Sequence, residues 1–143
     1  MKKYIICFLV FFGLGSAMAQ SPKSVDYNVI PLPQTVHLGT GKPFVLSKST
    51  TISFPKKDKN LAQIATFLSE SILDATGIKV AITDSPVLKD GIELQSNFKN
   101  QNREAYKFEV TQNKISINGA TSAGTFYGVQ LLRKVLLVSD SKT

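Results

Sequence analysis

Residues of the types that catalyse reactions or bind metals are few in this 143-residue chain. His37 is the only histidine, and no second ligand or catalytic base lies near it in the sequence. Glu104 and Glu109 lie near one predicted strand, but residues five apart on a strand point to opposite faces and cannot flank one bond. No cluster of Cys, His, Asp and Glu has zinc-ligand spacing. The sequence therefore assigns no catalytic, cofactor-binding or metal-binding residue.

One short motif is similar to the glycine-rich loop that binds nucleotide phosphates. The segment from Gly119 to Gly124 joins a predicted strand to a predicted helix. The lysine that should follow the second glycine is replaced by Thr125, so no side chain would reach the β- and γ-phosphates. We therefore reject nucleotide binding and predict that these small residues let the helix begin close to the sheet. Gly124 and Gly128 share one helix face, which indicates close helix packing rather than a membrane dimer.

The N-terminus has the three regions of a secretory signal peptide. Lys2 and Lys3 form the positive region, residues 4–15 are an uncharged apolar run, and residues 16–19 give the small-x-small cleavage pattern. We predict a signal peptide over residues 1–19. The apolar run is shorter than the about 20 residues that span a bilayer, so a retained anchor is the less favoured alternative.

Export would define the environment of the remaining chain. We expect the mature protein to begin at Gln20, to start with a flexible lead-in over residues 20–28, and to reach the periplasm or the extracellular space. Cys7 is the only cysteine and would leave with the signal, so no disulfide can form within the mature chain. Export also makes nucleic acid an improbable partner despite the net charge of +7. No stretch after the signal is long and apolar enough to span a membrane.

The elements of the mature chain indicate an α+β fold. Two helices are predicted, from Asn60 to Thr76 and from Thr121 or Ser122 to about Val138. Asp58 or Asn60 can cap the first helix at its start and Gly77 at its end. Alternating apolar residues and turn residues predict strands at 35–38, 43–46, 51–54, 78–83, 91–95, 106–111 and 114–118.

These elements fit two helices packed on one antiparallel or mixed β-sheet, in two layers. The last two strands form a predicted hairpin in which Asn113 supplies a positive φ angle. On the second helix we predict that one stripe packs on the sheet and that Leu132 and Leu136 are left for a second surface. That stripe comprises Ala123, Phe126, Tyr127, Leu131, Val135 and Val138.

Three motifs appear in an order that resembles a known family. They are Val29-Ile30-Pro31-Leu32-Pro33, Glu104-Ala105-Tyr106, and the run Ala120-Thr121-Ser122-Ala123-Gly124-Thr125-Phe126-Tyr127-Gly128-Val129-Gln130. Together they resemble the N-terminal domain of secreted bacterial β-N-acetylhexosaminidases of glycoside hydrolase family 20. The resemblance places that domain over residues 29–143. The run Leu131-Leu132-Arg133-Lys134 departs from the family, which usually reads closer to Thr-Leu-x-Gln.

The resemblance implies a partner that carries the chemistry. In the family a (β/α)₈ barrel follows this domain and removes terminal N-acetylhexosamine, using the acetamido oxygen of the substrate as nucleophile. An adjacent Asp-Glu pair orients that group and protonates the leaving oxygen. No Asp is followed by Glu in this sequence, and a barrel needs about 250 residues. We therefore expect a non-catalytic, inactive front end of such an enzyme, from a truncated frame, a split gene or an incomplete contig.

Two alternatives stay open at this point. The chain could be the front domain of another glycosidase, such as a glucuronidase-type enzyme. It could also be a stand-alone secreted module that binds glycan or a protein through the apolar side of its last helix. In each case the sequence predicts no cofactor.

Overall fold

The computed structural model describes residues 41–140, with side chains up to residue 137. The predicted signal peptide over 1–19, the lead-in over 20–28 and the strand predicted at 35–38 lie outside these residues. His37 lies outside them as well.

One five-stranded sheet carries two helices on the same face. The elements in chain order are β1 (Thr51–Ser53), α1 (Lys59–Thr76), β2 (Ala81–Thr83), β3 (Gly91–Gln95), β4 (Tyr106–Val110), β5 (Lys114–Gly119) and α2 (Ser122–Asp140). The sheet order is β2-β1-β3-β5-β4. β1 pairs in parallel with β2 and β3, and β3 pairs in parallel with β5, whereas β4 and β5 are antiparallel. The predicted two-layer α+β arrangement is confirmed, and the sheet is mixed.

The core lies between the sheet and the helix layer. Alternate residues of three strands point into it and are almost fully buried: Ile52, Ile92, Leu94, Ile115 and Ile117. The two helices cover these side chains from one side, so the sheet has one apolar and one polar face.

Helix α1 follows its sequence closely. The carboxylate of Asp58 accepts a hydrogen bond from the Leu61 backbone N–H at 3.0 Å, which confirms the predicted N-cap. Its other oxygen accepts a hydrogen bond from the Ser96 hydroxyl at 3.0 Å, tying the helix start to the end of β3. Gly77 ends the helix at φ 70°, the predicted left-handed cap. Leu61, Ala65, Leu68 and Ile72 form the buried stripe.

Two predictions about strands and turns are wrong. Residues 43–46 are irregular: Phe44 and Leu46 pack against the core, and this alternation does not by itself require pairing with a neighbouring strand. One strand therefore precedes α1 in the described part of the chain, where two had been predicted in that part. In the β4–β5 turn Asn113 has no positive φ, since Asp90, at 54°, is the only non-glycine residue with positive φ among those described.

The turn between β4 and β5 is closed by a side chain instead. The Thr111 N–H donates to the Lys114 carbonyl at 2.9 Å, and the Lys114 N–H donates to the Thr111 hydroxyl at 3.1 Å. These bonds hold Gln112 and Asn113 between them as the two-residue connection that the sequence predicted.

The predicted buried stripe of α2 is wrong in part: Leu131 is buried as predicted, but other members of the stripe are not. Ala123 and Val135 are exposed, whereas Val129 and Leu132 are buried in the core and Leu136 packs against it. The side chain of Val138 lies outside those described. Because α2 is apolar around most of its circumference, periodicity alone could not choose the buried face. Leu132 and Leu136 are therefore not free for a second surface.

Phe126 and Tyr127 were predicted to pack on the sheet as part of the same stripe, and their positions also differ from that prediction because α2 is apolar on several sides. Phe126 is half-buried and contacts Phe67 of α1, with ring centroids 5.5 Å apart and the ring planes tilted by 49°. Tyr127 is also half-buried, with its ring 6.5 Å from that of Phe126. Phe126 thus contributes to helix–helix packing at the side of the layer.

Candidate functional site

The glycine-rich segment between β5 and α2 is a structural joint. The Thr125 hydroxyl accepts a hydrogen bond from the Gly119 N–H at 3.2 Å and lies 2.6 Å from the Gln95 carbonyl, to which it can donate. A methyl group at Gly119 would overlap the backbone nitrogen of Thr125. The segment therefore fastens the ends of β3 and β5 to the first turn of α2.

Gly124 and Gly128 allow α2 to lie directly on the β4–β5 hairpin. A Cβ atom at Gly124 would overlap the Ala105 carbonyl oxygen, and one at Gly128 would overlap the Ile117 side chain. The Ala120 N–H donates to the same Ala105 carbonyl at 2.8 Å. The predicted close start of the helix on the sheet is confirmed, and the shared glycine face packs on strands.

The outer side of the helix layer is the candidate functional surface. We call it the outer groove: a cavity of about 210 Å³ between α1 and α2, facing away from the sheet. Its floor contains the Phe67 ring, and Leu137, 52% exposed, lies at its edge. Seven residues line it: Phe67, Glu70, Ser71, Asp74, Ala75, Arg133 and Leu137.

The groove was not predicted from the sequence. Phe67 lies one position before the buried Leu68 and thus off the buried stripe of α1, and Glu70 and Asp74 follow it at helical spacing. This offset was a signal that α1 has a second, partly apolar face. The other wall of the groove is the α2 face that carries Arg133. Which face of α2 lies beside α1 depends on how the two helices pack.

The opposite, helix-free face of the sheet is polar and internally bonded. The Lys114 ammonium lies 2.7 Å from the Glu93 carboxylate, and Gln95 donates to the same carboxylate at 3.1 Å. The Asn118 amide donates to Gln95 at 3.3 Å and to Asn97 at 2.8 Å. The strand residues described on this face include no aromatic side chain that could stack on a sugar ring.

The ionisable residues considered from sequence do not converge. Glu104 and Glu109 are both exposed, and Glu109 pairs with Lys107 at 3.2 Å. Among residues 41–140, no group of three or more His, Cys, Asp or Glu side chains could hold a metal ion. Over the same range neither helix combines the length and hydrophobicity that a bilayer crossing requires.

Tyr106 is the one unusual polar group. Within the described part of the chain its hydroxyl is the only buried side-chain polar atom without a hydrogen-bond partner. Burial raises the pKa of Tyr106 above its ordinary value. Its ring lies beside Gly128, under α2.

Comparison with known proteins gives a consistent result. A sequence model of glycosyl hydrolase family 20, domain 2, matches residues 26–143. The solved GH20 β-N-acetylhexosaminidase from Streptomyces coelicolor A3(2) is 27% identical with a TM-score of 0.67, over 80% of this chain and 22% of that one. Streptomyces plicatus N-acetyl-β-hexosaminidase in complex with Thio-NAglucal is 26% identical with a TM-score of 0.67, over 79% of this chain and 22% of that one.

A more distant likeness shows the fold alone. CpGH84D is 18% identical with a TM-score of 0.58, over 78% of this chain and 21% of that one. No curated protein sequence matches the chain. The chain spans about a fifth of the length of the two Streptomyces hexosaminidases that it matches.

Proposed function

Because this chain belongs to glycosyl hydrolase family 20, domain 2, we propose that it is the non-catalytic N-terminal domain of a β-N-acetylhexosaminidase. The whole enzyme would remove terminal N-acetylhexosamine from glycans. The observation that carries the proposal is the match over residues 26–143 together with the shared fold of two Streptomyces hexosaminidases. The chemistry then belongs to a catalytic barrel, and this domain supports it.

The outer groove is the surface that fits this supporting role. One side of the helix layer is already covered by the sheet, while the groove leaves the half-buried Phe67 and the exposed Leu137 facing outwards. Interfaces are enriched in aromatic and arginine side chains, and the groove has both. The barrel would pack on the helix layer there. The polar sheet face has no comparable apolar side chains to offer.

Activity measurements test this proposal. The longest polypeptide in the source cell that contains this domain should hydrolyse a chromogenic N-acetylglucosaminide, and the purified 143-residue chain should not. A long polypeptide without such turnover would contradict the proposal, as would turnover by the isolated chain that persists after contaminating enzymes are removed. Mass spectrometry of the long polypeptide defines which domains it contains.

Export is a separate part of the proposal. Residues 1–19 would direct the chain across the inner membrane and be removed before Gln20. Mass spectrometry of protein from the periplasm or the medium should find Gln20 at the N-terminus. An intact Met1 on that material would overturn this part and leave the enzymatic part untouched.

A further inference from the structure

The outer groove contains charged side chains of both signs that do not pair with each other. Glu70 and Asp74 line it from α1, and Arg133 lines it from α2. In the described part of the chain the ion pairs are Lys56–Asp84, Lys107–Glu109 and Lys114–Glu93, all outside the groove. Charged side chains that are not paired with each other within the groove can form ion pairs with another protein surface.

Arg133 is positioned differently from the other exposed cations. Its guanidinium carbon lies 5.9 Å from the centre of the Phe67 ring, and that ring in turn contacts the tilted Phe126 ring, with centroids 5.5 Å apart. A guanidinium over an aromatic face is attracted to the ring, and its N–H groups stay directed outwards in its own plane. Those N–H groups match a carboxylate in a two-point contact, which lysine cannot make.

We propose that Arg133, supported by Phe67, is an anchor that binds a carboxylate on the catalytic domain of the same polypeptide. The inference rests on the proposed function and names the contact that would hold the two domains together. The length of the matched enzymes argues for this occupant, because this domain covers only 22% of them. By charge complementarity, the docked surface of the catalytic domain should also present a basic group towards Glu70 and Asp74.

Limited proteolysis of the full-length polypeptide tests the anchor. The rate at which protease separates this domain from the rest measures how firmly the two are docked. Arg133→Glu should raise that rate about tenfold or more, and Arg133→Lys should fall between it and the unchanged protein. Lys99→Glu is the matched control, since Lys99 is exposed in the loop after β3 and outside the groove. It should leave the rate unchanged.

A second measurement separates docking from folding. In the 143-residue chain Arg133→Glu should lower the urea midpoint only slightly, because Arg133 is exposed and a cation–π contact at an exposed site is weak. Separation rates equal to those of the Lys99→Glu control would overturn the inference and leave the proposed function standing. A loss of stability in the short protein large enough to account for the faster separation would also overturn it, since Arg133 would then serve folding alone. A long polypeptide with no catalytic domain would contradict both this inference and the proposed function.

Discussion

At the residue scale, the hydrogen bonds of the Thr125 hydroxyl hold helix α2 to the ends of two strands. Thr125 is fully buried, and its hydroxyl serves the Gly119 N–H, with the Gln95 and Thr121 carbonyls at 2.6 and 3.2 Å. Such an atom cannot be removed without leaving buried backbone groups short of a partner.

Thr125→Val keeps the shape of the side chain and removes these bonds. We expect a loss of about 1–3 kcal/mol in the free energy of unfolding, measured by urea denaturation. Thr66→Val is the control: Thr66 is exposed and bonds only the preceding turn of α1, so its loss should stay within about 0.5 kcal/mol. Equal midpoints for the two variants would contradict the assigned role of Thr125.

Tyr106 gives a prediction that depends on pH. At pH 7 Tyr106→Phe should keep or slightly raise stability, because it removes a buried hydroxyl that has no partner. Burial raises the pKa of Tyr106 in the folded state, so above about pH 10 the unfolded chain binds fewer protons than the folded one. Stability should therefore fall as pH rises through this range, and less so in Tyr106→Phe.

Urea midpoints of both proteins at about pH 7 and 10.5 check this difference. A Tyr106→Phe variant that loses stability at pH 7 would show that the hydroxyl is bonded after all.

At the scale of an element, helix α2 is held on the hairpin by two glycines that face different obstacles. The obstacle at Gly124 is the backbone carbonyl of Ala105, which cannot move without disturbing the chain before β4. The obstacle at Gly128 is the γ2 methyl group of Ile117, which is bonded to the β carbon of a fully buried, β-branched side chain and can move only if the core around it repacks.

Gly124→Ala should therefore cost more than Gly128→Ala. Overpacking against fixed backbone costs about 1–3 kcal/mol, and the gain in helix propensity of about 1 kcal/mol is the same at both positions. We expect both variants to lose stability, read from urea midpoints, with the larger loss for Gly124→Ala because the core around Ile117 can repack in part and the Ala105 carbonyl cannot. The reverse order would mean that α2 lies on the hairpin differently.

At the scale of the whole molecule, the two layers assign opposite roles to two leucines of α2. Leu132 is 5% exposed in the core, whereas Leu137 is 52% exposed at the outer groove. Burial between sheet and helices stabilises the domain, while exposure on the outer side leaves an apolar surface for a partner.

Leu132→Ala should cost about 2–5 kcal/mol, enough to remove much of the stability of a small domain. Leu137→Ala should change stability by about 0.5 kcal/mol or less and reduce self-association of the isolated chain. Urea denaturation and light scattering measure the two effects. Equal destabilisation by both substitutions would show that the outer side of α2 is buried within this domain.

The sequence by itself determined the parts of the fold that depend on neighbours along the chain. The apolar spacing of α1, its cap at Asp58 and its end at Gly77 act over a few residues, and so does the alternation in β4 and β5. Local sterics and hydrogen bonding decide these features, which is why they could be predicted. The motif from Gly119 to Gly128 likewise predicted a close joint between the sheet and helix α2.

Tertiary structure alone decided which face of α2 is buried, because that helix is apolar on several sides. The choice follows from glycines that let α2 approach the hairpin and from Phe67, which meets Phe126 across the two helices. Contacts between the two helices also create the outer groove, and residues 43–46 pack on the core through Phe44 and Leu46 without forming a strand. These features bring together residues that are far apart in sequence. They depend on packing between elements, which the local sequence pattern does not encode.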